Sequence, residues 1–211
     1  MKTEDLIDVL ARGDDAPAKR KVWPRIAFAL AVGLLLGVGL LLTFFSIRPD
    51  IGAARMMVMM KAGFAAMAAG VSLPLLMRLS RPGRATGWRV AAIFGFLALC
   101  AVVTAIALMG GDPSTRMQAW MGGPFPWCIV IIPILAAPTA ALLGWLVRDL
   151  APTRLTMTGA SLGAVSGGVG AMVYAMYCPV DSVAFVATWY AVSIALCAVI
   201  GAVLGARLLR W

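Results

Sequence analysis

The chain has 211 residues, 62% of them hydrophobic and only 13% charged, with a formal net charge of +9 and no His. A soluble domain is nearer half apolar and a quarter charged, so this balance excludes an ordinary soluble enzyme and indicates an integral membrane protein. No Glu follows Glu4, and the missing His removes both the His–Glu–x–x–His metalloprotease and the Ser–His–Asp hydrolase.

Residues 1–24 form the first unit, a predicted cytoplasmic helix and linker. Thr3 is a helix-capping residue, and Glu4, Asp5 and Asp8 suit the positive N-terminal end of a helix. Leu6, Ile7 and Leu10 recur at three- and four-residue spacing and make one apolar stripe, closed by Arg12 and Gly13. A helix of about ten residues is too short to be stable alone in water, so its stripe needs a surface to lie on. Helices that lie on a membrane usually present Lys or Arg on the polar face. The acidic face here would be repelled by anionic lipid, which favours a partner protein with an apolar groove over membrane lipid. Pro17, Pro24 and a basic run then read as a linker ending at the membrane, and no cleavable signal peptide is expected.

Residues 25–211 form the second unit. It holds six apolar stretches, at 26–45, 54–76, 90–109, 127–147, 155–177 and 183–208, each close to the 20 or so residues a span requires. The fold class is therefore all-α, a six-transmembrane-helix bundle with a short amphipathic helix before it. The second stretch carries Met56, Met57, Met59, Met60 and Met67, read as adaptable packing ahead of copper binding. It also carries Lys61, expected to snorkel to the nearer membrane surface. Gly33 and Gly37, then Gly159, Gly163 and Gly167, then Gly201 and Gly205 lie four apart and allow close helix approach. Fourteen of the 18 basic residues fall on the side of the N-terminus, Arg78–Arg89, Arg148–Arg154 and the C-terminus. By the positive-inside rule that side is cytoplasmic. It also gives the positive charge a duller origin than contact with nucleic acid.

The four cysteines divide by depth. Cys100 and Cys197 fall mid-span and read as small buried apolar residues. Cys128 begins the fourth span and Cys178 follows the fifth, so both are expected at the same depth on the outer side, as thiols exposed to an oxidising compartment. Such a pair can close a disulfide or share a soft metal ion. Asp181, three residues on, is either a further ligand or the N-cap of the sixth helix. Without Cys–x–x–Cys a thiol oxidoreductase is poorly supported. Without a carboxylate inside a span, and without a repeat relating the two halves, so is a small proton-coupled metal or solute transporter.

Several segments together resemble the NrsF family of six-helix membrane anti-sigma factors. They are Met1-Lys2-Thr3-Glu4-Asp5-Leu6-Ile7-Asp8-Val9-Leu10, Trp127-Cys128 with Ile132-Pro133, Ala151-Pro152-Thr153-Arg154, and Cys178-Pro179-Val180-Asp181-Ser182 followed by Phe185 and Trp189-Tyr190. The resemblance covers the whole chain. Tyr177 stands where many members have His, which disfavours an imidazole ligand and leaves a thiol site intact. The resemblance implies a regulator in the bacterial inner membrane, not an enzyme, with no resident cofactor. Leu6, Ile7 and Leu10 would hold an extracytoplasmic-function sigma factor, with Glu4, Asp5 and Asp8 facing its basic groups. Cys128 and Cys178, with Asp181 as a possible third ligand, would release it on oxidation or on binding a soft or heavy metal ion.

Overall fold

The computed structural model describes residues 22–80, 87–123 and 126–210. Its elements are all helical: α1 Val22–Phe44, α2 Arg55–Leu79, α3 Trp88–Met109, α4 Arg116–Met121, α5 Cys128–Arg148 and α6 Leu155–Tyr174. A last continuous helix combines α7 Val183–Phe185, a π-helical turn Val186–Tyr190 and α8 Ala191–Leu208. Among the described residues five helices are long and apolar enough to cross a membrane: α1, α2, α3, α5 and the run Val183–Leu208. The protein is a membrane protein.

The remaining long helix, α6, has 20 residues and is not one of these five. Its sequence LTMTGASLGAVSGGVGAMVY substitutes Gly, Ser and Thr for bulk, and 15 of its residues are buried. A helix enclosed by other helices needs close contact more than it needs grease. The glycines face three neighbours. A Cβ on Gly163 would stand 2.8 Å from the carbonyl carbon of Cys197 in α8. One on Gly168 would stand 2.9 Å from the Ala65 carbonyl oxygen in α2, and one on Gly170 would stand 2.7 Å from that of Ile132 in α5. Gly33 of α1 is likewise pressed on α5, where a Cβ would lie 2.8 Å from the Cα of Thr139. Dispersion contacts and small-residue packing are what hold helices together where lipid replaces water.

Local details follow the same chemistry. Pro24 sits in the first turn of α1, where its missing N–H removes no intrahelical bond. The fifth apolar stretch is helical only to Tyr174, because the chain then tightens. Met176 N–H donates to Val173 O and Tyr177 N–H to Tyr174 O, three-residue bonds in place of four. In the segment between α3 and α5 the short α4 ends at Gly122, whose φ of 67° is left-handed. Helix α3 is peripheral, with Cys100 alone of its side chains buried.

Candidate functional site

Call the end of the bundle where α5 begins and α6 ends the thiol end. Cys128 is the first residue of α5, and Cys178 lies in the turn between α6 and α7. Both belong to one buried cluster with Tyr174, Phe185, Tyr190 and Ile132. Each is a free thiol. The sequence led to the expectation of exposed thiols, and both are buried instead: Cys128 is 0% and Cys178 1% accessible. Burial follows from packing against Tyr174, Phe185 and Tyr190, and Cys178 is tied back to α6 by its N–H, which donates to Tyr174 O at 3.0 Å. Each thiol donates weakly within its own segment, Cys128 Sγ to Pro126 O at 3.7 Å and Cys178 Sγ to Val180 O at 3.9 Å.

Two phenols pack in this cluster. The rings of Tyr174 and Tyr190 are 5.7 Å apart, and both have Cys128 and Cys178 as electrostatic neighbours. The hydroxyl of Tyr190 is buried and makes no well-formed hydrogen bond among the described residues, with the Cys178 thiol beside it. Tyr190 closes the π-helical turn, a distortion that frequently accompanies functional sites. Beside the cluster, α4 docks by Trp120 on Trp189, with rings 5.7 Å apart and Trp189 Nε1 donating to Trp120 O at 2.9 Å.

Behind Cys178 lies a cluster of charges that the sequence did not predict. Lys61 does not snorkel: it is 0% accessible, and its Nζ donates to Asp181 Oδ1 at 2.7 Å and to Cys178 O at 2.9 Å. Snorkelling is the answer to an unpaired charge, and this one is paired inside the bundle. Arg48, buried just beyond α1, donates from Nη1 to Cys178 O at 3.2 Å and from both Nη atoms to the Asp181 carboxylate at 2.9 and 3.1 Å. Its Nε and Nη2 also donate to Asp50, each at 2.8 Å. Arg48, and after it Lys61, holds the Asp181 carboxyl down to about 2 against the opposing effect of burial. The hydrogen bond from Arg48 likewise lowers Asp50. In return Asp50 and Asp181 raise Arg48 further above its already high value.

Asp181 is therefore not the N-cap of the last helix. Ser182 takes that role, its Oγ accepting from Phe185 N–H at 3.4 Å. Among the described residues no group of three or more His, Cys, Asp or Glu is placed to hold a metal ion. The structure brings Cys128 and Cys178 into one buried cluster and turns Asp181 to the two cations. Glu4, Asp5, Leu6, Ile7, Asp8 and Leu10 lie outside the described residues. Sequence reasoning passed over Arg48, Tyr174 and Tyr190. Lys61 did carry a signal, since a charge inside a span is by default a functional flag, but its partner is more than a hundred residues away.

Compared with known proteins, residues 10–211 match the family described as NrsF, negative regulator of sigma F. The chain belongs to the NrsF family. A relative from Azospira oryzae, named probable anti-sigma-F factor NrsF, is 35% identical over 214 residues. A second from Caulobacter vibrioides, named anti-sigma-F factor NrsF, is 33% identical over 220 residues. Both alignments cover the whole of each chain. No solved structure matches.

Proposed function

We propose that this NrsF-family chain is an anti-sigma factor of the bacterial inner membrane, which holds an extracytoplasmic-function sigma factor through its N-terminal segment. The observation that carries this is similarity along the full length to proteins named anti-sigma-F factor, in a chain with five membrane-length helices. With α6 counted as an enclosed sixth span, both termini fall on the cytoplasmic side, where most of the basic residues lie. Leu6, Ile7 and Leu10 form the stripe that a sigma factor covers, flanked by Glu4, Asp5 and Asp8. Burying three such aliphatic side chains is worth about 1.5–3 kcal/mol each before ordering costs, and ordering a short helix consumes part of it. The resulting affinity is modest and breakable, as a switch requires. Full-length protein in detergent should bind the sigma factor, and Leu6→Asp with Leu10→Asp should reduce binding at least tenfold in a titration. Equal binding by that variant would remove the N-terminal segment from the interface.

The input is assigned to Cys128 and Cys178 on the periplasmic side. Two thiols with no third His, Cys, Asp or Glu donor among the described residues suit a soft ion that accepts two sulfurs. Binding exchanges two thiol protons for the ion; alternatively an oxidant removes two electrons and two protons to join the sulfurs. Asp181, with both oxygens engaged by cations, serves the scaffold rather than the ion. The double variant Cys128→Ser, Cys178→Ser should bind the sigma factor as the wild type does and lose induction by soft metals and oxidants in a reporter strain. Normal induction in that strain would sink the sensor assignment.

A further inference from the structure

We propose that Arg48 and Lys61 are positioning residues that transmit the state of the Cys178 thiol to α1, and through α1 to the N-terminal segment. This rests on the thiol-sensor reading above and supplies the mechanical link it lacks. The carbonyl of Cys178 accepts from Lys61 Nζ at 2.9 Å and from Arg48 Nη1 at 3.2 Å. Two cations thus grip the backbone of the residue whose side chain would receive the signal. The grip extends along the turn. Arg48 N–H donates to Met176 O at 3.2 Å, Phe45 meets Tyr177 edge-on at 5.5 Å, and the carboxylate of Asp181 closes the far side. Met176, Tyr177, Cys178 and Asp181 are all bound to the few residues that follow α1.

Helix α1 then runs without a break from Phe44 to Val22, at the edge of the N-terminal segment. It also rides on the other thiol-bearing element. Gly37 packs against Leu135 O of α5, and Gly33 against Thr139 of the same helix. A change that moves Cys178 relative to Cys128 therefore acts on α1 at two places, its end and its side. Packed helices shift between discrete arrangements rather than deforming smoothly. A turn held by directional, charge-assisted bonds is well suited to force α1 to move as a unit. Stability alone does not explain such a cluster, since buried ion pairs can often be replaced by apolar side chains without loss.

The test uses full-length protein in detergent with the sigma factor, and Cd2+ as the probe for the thiols. The quantity to read is the ratio of sigma-factor dissociation constants with and without Cd2+ bound, with uptake counted per protein. In the wild type we expect a ratio of about 10 or more, within the usual range of coupling between sites. In Arg48→Met and in Lys61→Met the ratio should fall toward one while Cd2+ uptake is kept. Arg48→Lys retains a charge beside Asp181 but loses the planar fork, so it folds even if Arg48→Met does not, and its ratio should be intermediate. Asp112→Asn, a carboxylate bound only within its own exposed turn, should keep the full ratio. A wild-type ratio retained in the Arg48 and Lys61 variants would overturn the clamp and leave the thiol reading standing. A wild type that takes up no Cd2+, or takes it up without a change in affinity, would overturn both. By reciprocity, the sigma factor should shift Cd2+ affinity by the same ratio in every variant.

Discussion

Gly163→Ala should all but abolish folded protein. A single methyl group there would project into the Cys197 carbonyl, 2.8 Å from its carbon and 3.0 Å from the Cα of Ala198. These are backbone atoms inside a continuous helix, so no rotamer change relieves the overlap. Helix α8 must move out, and with it go the Gly159 and Gly201 contacts that depend on the same approach. Forced overpacking costs about 1–3 kcal/mol where side chains can adjust. Where only backbone can give, the effect should exceed that range and remove most of the stability of a domain this size. The comparison is Gly63→Ala in α2, where an added Cβ meets nothing within 4 Å. That variant should be as stable as the wild type or gain up to about 1 kcal/mol from helix propensity. Membrane-fraction yield and thermal melting in detergent read both. Equal melting of the two variants would mean that α6 and α8 do not lie this close.

The positions of the helices were legible because twenty-residue apolar runs have few alternatives, and the glycines spaced by four marked faces open to close approach without saying which helix would fill them. Helix α6 shows what such reading misses. It is visible as a stretch, but its Gly and Ser content is a record of burial among α1, α2, α5 and α8, which a single sequence does not display. The thiol cluster was half legible: matched depth paired Cys128 with Cys178, whereas their burial against Tyr174, Phe185 and Tyr190 is a tertiary contact. The charge cluster was the least legible part. Arg48 was passed over, and Lys61 and Asp181 read separately as a snorkelling lysine and as either a further ligand at the thiols or a helix cap, local answers for charges near a membrane surface. A tertiary contact across 120 residues of chain joined them at lower free energy, and local rules cannot anticipate that.

Asp181→Leu should be the most damaging single change at the thiol end. It strips the shared carboxylate from Lys61, which is fully buried, and from Arg48, which keeps only Asp50 and the Cys178 carbonyl. Breaking a buried pair from one side leaves an uncompensated charge and costs about 3–5 kcal/mol; the low end of that range applies here, because a third of the Asp181 side chain reaches solvent. Removing the charge from both sides should behave differently. In the double variant Lys61→Met, Asp181→Leu no buried ammonium is left without a partner, and most of the loss should return. A double-mutant cycle on melting temperature reads this coupling directly. Acid gives an independent view of the same carboxylate. Its folded pKa, about 2, lies below its ordinary value of 3.8. The stabilisation is therefore complete above 3.8 and drains away as pH falls toward 2. Wild-type protein should lose melting temperature across that window more steeply than Asp181→Asn, which has no carboxyl to protonate. Parallel acid profiles for the two proteins would place the charge of Asp181 outside the energetics of the fold. A steeper wild-type profile, together with recovery in the double variant, would identify one ionised carboxylate as the group that lets two buried cations hold the backbone of Cys178.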